Sequence, residues 1–204
     1  MKDLPGVLLT ATIWSYWFGV GLMIRRARRK THRLAGLVPE QPVEQLMWIV
    51  WLPLVALWIV LPYLALVRGQ GLVGAVPAFT RSDGYASLRW VAAIGAVACL
   101  LLTSVCWSRM GLHWRMDVPL EGEVPLITDG PFRYVRHPIY SLSMLLMICS
   151  AVVVPTVPML GIAIVHLTLM LLKARHEEGH LLRLHGEAYR AYLARTGRFF
   201  PKRG

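Results

Sequence analysis

The residues most able to do chemistry lie in two clusters, one at each end of a long apolar segment. The first follows a Gly-Pro turn in the sequence GPFRYVRHPIY, and its polar members are Arg133, Tyr134, Arg136, His137 and Tyr140. The second begins about 36 residues later in HEEGHLLRLHGEAYRAYLARTGRFFP, and its members are His176, Glu177, Glu178, His180, Tyr189, Tyr192 and Arg198. Polar groups beside apolar sequence are costly unless they are paired or bind a ligand. The two clusters are therefore the candidate site.

The side chains of the two clusters indicate what such a site would bind. They offer carboxylates for a cation, arginine and histidine for a carboxylate, and aromatic rings for a planar group. A zwitterionic cofactor with a purine, such as S-adenosylmethionine, matches this set of groups, and so do several other ligands. The alternative is a belt of arginines and tyrosines that extend to the headgroup level of a bilayer and bind no ligand.

One motif in the second cluster suggests a different chemistry. His176, Glu177 and His180 fit HExxH, which on a helix places two imidazoles one turn apart to hold zinc beside a glutamate base. The glycine between them weakens the helix that must set this spacing. Only His185 or Glu187 stands near as a third ligand. We therefore expect no metal site, with a membrane zinc metalloprotease as an alternative.

The composition indicates an integral membrane protein. Of the 204 residues, 56% are hydrophobic and only 16% are charged, and the mean hydropathy is +0.51. In soluble domains about a quarter of the residues are usually charged. The net charge is +11, and arginines cluster beside apolar runs, which favours contact with anionic lipid headgroups over nucleic-acid binding. The three cysteines lie in apolar runs and indicate neither a metal site nor a disulfide framework.

The apolar runs predict an all-α fold: an integral membrane helical bundle of about five transmembrane helices in a single domain, residues 1–204. Its segments are three N-terminal spans in 1–107, a cytoplasmic site loop over 108–138, a helical hairpin over 139–172, and a cytoplasmic amphipathic helix and tail over 173–204. PTVP at 155–158 divides the hairpin into halves of about 14 to 16 residues. Each half would cover only ~21–24 Å of a ~30 Å apolar core. Either the helices extend into the flanking polar segments or they form a tight hairpin, and Gly186 allows a kink in the C-terminal helix.

The basic residues predict the orientation. RRARRK at 25–30, followed by Arg33, comes after the first span and places that loop in the cytoplasm by the positive-inside rule. The N-terminus is then outside and the C-terminus cytoplasmic, in what we expect to be a bacterial inner membrane.

Four aromatic residues mark the second span, namely Trp48, Trp51, Trp58 and Tyr63. They could line a cavity. Packing against lipid or at the membrane interface is the preferred interpretation, since it requires no ligand.

The hairpin makes a prediction about distance. Because a helical hairpin brings its two ends together, His137 at one end and Glu177 and Glu178 at the other should be neighbours. We therefore expect the two clusters to form one site on the cytoplasmic side.

The residues on both sides of the hairpin resemble a known signature. RHPxY at 136–140, Glu-Glu-x-x-Leu at 177–181, a glycine before Tyr-x-x-Tyr at 189–192 and Arg-x-x-Pro at 198–201 together resemble the isoprenylcysteine carboxyl methyltransferase family. That family is in turn similar to the membrane phospholipid methyltransferases. The resemblance covers roughly residues 125 to 201. Two departures are visible, because Leu142 stands where a glycine commonly follows RHPxY and Gly197 replaces a proline before Arg198.

The resemblance implies a methyltransferase that takes S-adenosylmethionine from the cytoplasm and a lipophilic acceptor from the bilayer. The residues that it implies around the cofactor are His137, Pro138, Tyr140 and Glu178, with Tyr134, Glu177, Tyr189 and Tyr192 closing the pocket. The residues that it implies for catalysis are Glu177, Arg198 and Arg175, of which the two arginines would meet the acceptor.

The expected reaction is in-line displacement at the sulfonium methyl, in which catalysis rests on positioning and desolvation. A carboxylate or thiolate acceptor needs only an arginine to orient its charge, whereas an amine or neutral thiol needs a base, for which Glu177 is the candidate. An isoprenoid or prenylcysteine carboxylate is the acceptor that the resemblance implies, and a phospholipid amine or a thiol is the alternative.

Two further functions stay open. The same region is similar to the membrane sterol reductases, which bind NADPH but generally have a longer chain with more spans. A non-enzymatic scaffold whose basic loops bind anionic lipid is the other.

Overall fold

The computed structural model of the chain describes residues 3–31, 41–69, 80, 82–111, 114 and 126–202. These residues form five α-helices and one 3₁₀ turn. The helices are α1 (Leu4–Thr31), α2 (Pro42–Arg68), α3 (Asp83–Met110), α4 (Pro138–Val153) and α5 (Val157–Arg195), and the 3₁₀ turn is Gly130–Arg133. The described ranges contain no strand, and their isolated bridge joins Val135 to Gly197.

Four of the helices, α1, α2, α3 and α5, are long and apolar enough to cross a membrane. The fifth, α4, has 16 residues and covers only about 24 Å at 1.5 Å per residue. The fold is therefore an integral membrane helical bundle, as the sequence predicted. The expected five spans correspond to four long helices and one short one.

The hairpin differs from its predicted form at its second helix. The PTVP segment separates α4 from α5 at the expected place, but α5 does not stop at residue 172. It continues through the polar segment to a kink at Gly186 and ends at Arg195, so the C-terminal amphipathic helix predicted over 173–195 begins as a direct continuation of the apolar part of α5. Extension into a flanking polar segment was one of the two options left open, because the apolar half alone is too short to span a bilayer.

Gly186 changes the direction of α5 close to its end. Its φ of 49° and ψ of −119° are not helical, and they lie in a region that residues with a side chain rarely adopt. A Cβ at this position would meet no atom within 4 Å, so the requirement for glycine is conformational rather than steric. The predicted kink is confirmed.

Small and aromatic side chains pack the core. The closest packing joins α3 to α4, where Ala93 and Ala96 are fully buried and small residues let the two helices approach. Between α1, α2 and α3, aromatic rings fill the interior. Trp58 of α2 is fully buried and donates its indole N–H to Ser150 Oγ of α4 at 2.9 Å.

Polar contacts also close the end of the bundle where α1 and α3 begin and α4 ends. Arg89 forms an ion pair with Asp3 at 2.6 Å and donates from Nε to the carbonyl oxygen of Val153 at 3.1 Å. The Tyr85 hydroxyl donates to the carbonyl oxygen of Val152. These contacts hold α1, α3 and α4 together at this end of the bundle. The start of α4 and the polar part of α5 meet at the opposite end.

Parts of two predicted loops lie outside the described residues. The basic loop after α1 falls at 32–40, and the side chains of 28–31 are likewise not described. Within the predicted site loop over 108–138, residues 112, 113 and 115–125 also lie outside.

Candidate active site

The first cluster begins with a turn that fixes the entry into α4. Pro131 and Pro138 open the 3₁₀ turn and α4 respectively, positions where a missing N–H costs nothing. The Tyr192 hydroxyl of α5 donates to the carbonyl oxygen of Phe132 at 2.6 Å. The turn is therefore held from the second cluster, and His137 stands at the residue immediately before α4.

The C-terminal tail pairs with the first cluster through backbone hydrogen bonds. The backbone N–H of Arg136 donates to the carbonyl oxygen of Gly197 at 2.9 Å. The backbone N–H of His137 donates to the carbonyl oxygen of Arg198 at 3.1 Å. Ser141 Oγ donates to the carbonyl oxygen of Phe199 at 2.9 Å. A Cβ at position 197 would overlap the carbonyl oxygen of Phe200, so the path of the tail requires glycine there.

Glu178 is the centre of the ion pairs at the site. Its buried carboxylate accepts from Arg136 Nε at 2.9 Å, from Arg198 Nη2 at 2.5 Å and from Nε at 3.0 Å, and lies 3.3 Å from His137 Nε2. Arg136 also donates to the carbonyl oxygen of Thr196. Glu178 thus connects the start of α4, the polar part of α5 and the tail.

These contacts shift the pKa values of the groups involved, all of which lie beyond the apolar part of α5. Burial raises the pKa of the Glu178 carboxyl, but the hydrogen bonds from His137, Arg198 and Arg136 outweigh burial and hold the pKa well below its usual range. Hydrogen bonding to Glu178 raises the pKa of Arg198. Burial raises the pKa of Tyr192 to about 12, so its hydroxyl stays a neutral donor.

Glu177, next to Glu178, turns toward a different neighbour. The Tyr140 hydroxyl donates to Glu177 Oε2 at 2.8 Å, and His137 Nδ1 lies 3.6 Å from the same oxygen. The rings of His137 and Tyr140 are stacked, with centroids 5.2 Å apart and planes inclined by 5°. His137 therefore lies between the two carboxylates, and the predicted proximity of the two clusters is confirmed.

A cavity opens beside Glu177. It encloses about 1070 Å³, including the solvent space at its mouth. Its polar lining comes from the two clusters and from Lys173, and its walls are mainly aromatic and apolar. The residues that line it include Tyr16 and Trp17 of α1, Met47, Trp48 and Trp51 of α2, Trp107 of α3, Phe132, Arg136, His137, Pro138, Tyr140 and Ser143 in and before α4, and Met170, Lys173 and Glu177 of α5.

The predicted site residues fall into two groups around this cavity. Four of them line it: His137, Pro138, Tyr140 and Glu177. Glu178, Tyr189 and Tyr192 are buried behind the lining. Tyr134, Arg175 and Arg198 do not line the cavity either; Tyr134 is 60% exposed, Arg175 is exposed, and Arg198 is bound to Glu178. Their roles stay predictions.

Sequence reasoning missed much of the cavity wall. Trp48 and Trp51 line the cavity and Trp58 is fully buried in the core, so the preference for lipid or interfacial packing was wrong for these three residues. Lys173 was taken only as the start of a polar helix. Its position four residues before Glu177 on one helix was the signal, because residues four apart share a face.

The HExxH motif has other partners. His176 Nε2 lies 2.5 Å from Gln41 Oε1, and Glu177 accepts from Tyr140. Among the side chains that the structure describes, no group of three or more His, Cys, Asp or Glu is arranged to hold a metal ion. No observation favours the zinc protease.

A comparison with models of protein families gives a match. The model of the isoprenylcysteine carboxyl methyltransferase family matches residues 91–183, a little under half of the chain. No curated protein matches the chain. The matched residues include most of α3, all of α4 and the part of α5 that carries Glu177 and Glu178. The match supports the assignment of this chain to the isoprenylcysteine carboxyl methyltransferase family, which implies membrane methyltransferase activity.

Proposed function

We propose that the protein transfers a methyl group from S-adenosylmethionine to a lipophilic acceptor drawn from the bilayer. The observation that carries the proposal is the hydrogen bond from Tyr140 to Glu177, which joins the two predicted clusters at the polar end of an aromatic cavity. One end offers charged and hydrogen-bonding groups for a polar cofactor. The aromatic and apolar walls offer a surface for a lipophilic molecule.

The residues of the cavity fit the chemistry of this cofactor. Glu177 supplies a carboxylate for a cationic group, and the stacked rings of His137 and Tyr140 supply an aromatic surface. We propose that these three residues and Pro138 hold the cofactor. Glu178, Tyr189 and Tyr192 would support them from behind, and Tyr134 would close the pocket from outside.

When bound, S-adenosylmethionine supplies a methyl group on a sulfonium that is already a good leaving group. The aromatic walls exclude water from the reacting groups. The paired side chains hold Glu177 and His137 in fixed positions, so that the acceptor is oriented before reaction. With an amine or thiol acceptor, Glu177 would take the proton; with a carboxylate no base is needed.

The proposal also covers the identity of the methyl acceptor and the orientation of the protein in the membrane. An isoprenoid or prenylcysteine carboxylate is the acceptor that the family implies, with Arg198 and Arg175 as the arginines that meet it after a rearrangement of the Arg198 pair. We propose a bacterial inner membrane, the N-terminus outside and the site at the cytoplasmic face. The exposed Arg25 and Arg26 at the end of α1 would contact anionic lipid headgroups there.

Calorimetric titration of the detergent-solubilised protein with S-adenosylmethionine tests the proposal. We expect saturable binding that His137→Ala and Glu177→Gln weaken. The matched control is Glu187→Gln, because Glu187 is on the same helix, is 83% exposed and pairs only at the surface with Arg190. Absence of binding by the folded wild-type protein, or equal weakening by the control, would contradict it.

A further inference from the structure

The two halves of α2 are held in the bundle in different ways. After Pro53, apolar side chains such as Leu54, Trp58 and Leu61 are buried in the core. Before Pro53, all residues from 42 to 52 are described, and the single buried one is the charged Glu44. The N-terminal half of α2 therefore has no fully buried apolar side chain, and its Met47, Trp48 and Trp51 are half-buried.

Among the residues that the structure describes, two side-chain contacts join this N-terminal half to α5. Lys173 Nζ donates to Glu44 Oε1 at 2.9 Å, with Glu44 fully buried and the Lys173 side chain 15% exposed. One turn further along α5, His176 contacts Gln41, the residue before α2. Both contacts join charged or hydrogen-bonding side chains, so water can solvate the groups that their separation would expose.

The other side of α2 is held by aromatic rings. Trp17 of α1 packs against Trp51 at 5.5 Å between centroids, and Trp14 packs against Tyr63 at 5.4 Å. The Trp14 indole N–H also donates to the carbonyl oxygen of Ile59. The seam between α1 and α2 is thus packed by aromatic rings on both sides of Pro53, whereas the described contacts between α5 and the N-terminal half of α2 include the Glu44–Lys173 ion pair and the His176–Gln41 contact.

Pro53 lies between the two halves, and we take it as the hinge about which they would move. A proline inside a helix removes one backbone hydrogen bond and pushes against the carbonyl of the residue four positions earlier. Met47, Trp48 and Trp51, which line the cavity, all lie on the N-terminal side of this hinge. Movement of this half would open the cavity wall without disturbing the buried core after Pro53.

We propose that the seam between α2 and α5 is the entrance by which the lipophilic acceptor reaches the cavity, and that the Glu44–Lys173 ion pair is its latch. The proposal rests on the proposed function, since it requires an acceptor that comes from the bilayer. Lys173 precedes Glu177 by four residues, about 6 Å along the helix axis. An acceptor that entered at the latch would therefore arrive beside the polar end of the cavity.

Spin-label distance measurements in lipid nanodiscs test the latch without cofactor or acceptor. One label pair spans the seam at the cavity, Leu46→Cys with Leu172→Cys, and both positions are exposed. The control pair spans the same two helices beyond the hinge, Val60→Cys with Ile164→Cys, also exposed. The native cysteines, all buried, are replaced by alanine in both.

Lys173→Met is expected to shift the distance distribution of the first pair to longer values and to leave the control pair unchanged. Addition of farnesoic acid, an isoprenoid carboxylate, to the protein with native Lys173 should also shift the distance distribution of the first pair to longer values. Unchanged distances in the first pair would overturn the proposal. An equal shift in both pairs would overturn it too, because it would show that the ion pair merely stabilises the bundle.

A second variant keeps the test valid if Lys173→Met fails to fold. Pro53→Ala restores a helix hydrogen bond and stiffens the hinge, so the first pair should show a narrower distribution, and unchanged breadth would contradict the hinge. Calorimetric binding of S-adenosylmethionine is measured in parallel on each variant. If the first label pair shows no change in distance while cofactor binding is intact, only the proposed entrance is refuted. If the wild-type protein does not bind the cofactor, the proposed function is refuted.

Discussion

The Tyr140 hydroxyl donates a hydrogen bond to Glu177 Oε2 at 2.8 Å, although the two residues are 37 positions apart in the chain. Tyr140 lies in the first turn of α4, and Glu177 lies where α5 leaves its apolar part. The contact connects the two ends of the hairpin directly. It also gives the carboxylate a fixed direction toward the cavity, which neither helix alone would impose.

Removal of that hydroxyl measures what the contact contributes. Tyr140→Phe keeps the ring stacked on His137 but leaves Glu177 without its donor. Hydrogen bonds to charged groups contribute roughly 1.5–3 kcal/mol, so we expect cofactor affinity to fall by about tenfold or more. Calorimetry checks this, with Tyr63→Phe as the control at an exposed ring that does not line the cavity. Equal affinities of Tyr140→Phe and wild type would show that Glu177 is not positioned by this bond.

Loss of charge at Glu178 should weaken the fold rather than cofactor contacts alone. Glu178→Gln leaves Arg136 and Arg198 without their shared carboxylate, and breaking a buried ion pair costs on the order of 3 kcal/mol. We expect a lower midpoint of thermal unfolding and faster proteolysis of the C-terminal tail, which pairs with 135–137. Glu187→Gln removes an exposed i,i+3 ion pair and should leave the unfolding midpoint and the rate of proteolysis unchanged. Identical behaviour of the two variants would argue against Glu178 as the connecting residue.

The depressed pKa of Glu178 predicts a dependence of stability on pH. Between that pKa and the ordinary glutamate value of about 4.3, the unfolded chain binds more protons than the folded protein. The contribution of Glu178 is therefore complete above about pH 5 and is lost as the pH falls below the ordinary value. Thermal unfolding across this range should show the difference between wild type and Glu178→Gln narrowing toward low pH. A constant difference would be inconsistent with the ion pairs seen here.

Gly186 offers a test of the end of α5. Gly186→Ala forces a side chain onto a positive φ of 49°, and such strained conformations cost about 1–3 kcal/mol. We expect a lower unfolding midpoint and a loosened Tyr192–Phe132 contact. Gly179→Ala is the matched control on the same helix, where the φ is helical and the nearest atom is 3.8 Å away, so it should be neutral or stabilising. A stabilising Gly186→Ala would mean that α5 is straight.

The part of the site that sequence could predict is the part that chain connectivity dictates. Two apolar helices joined by PTVP must return the chain, so the neighbourhood of His137 with Glu177 and Glu178 followed from the hairpin alone. The extension of α5 through 173–195 was less determined, because helical periodicity does not say where one helix ends and another begins.

The pairing of individual side chains could not be predicted in the same way. RHPxY does not reveal that Arg136 and Arg198 converge on Glu178, because that depends on how the tail passes over the start of α4. The role of Trp48 and Trp51 was also hidden. Since α2 is apolar on all its faces, its sequence does not distinguish the side toward the cavity from the side toward lipid.

Methyl transfer itself tests the central claim most directly. Membranes containing the protein are incubated with methyl-labelled S-adenosylmethionine, and label is then measured in the extracted lipid, protein and volatile fractions. The proposed function predicts label in a lipophilic product with the wild-type protein, and much less with His137→Ala, because the His137 side chain lies within 3.6 Å of both carboxylates. Label no greater than in membranes that lack the protein, from a preparation shown to be folded, would contradict the assignment of this cavity as a methyltransferase site.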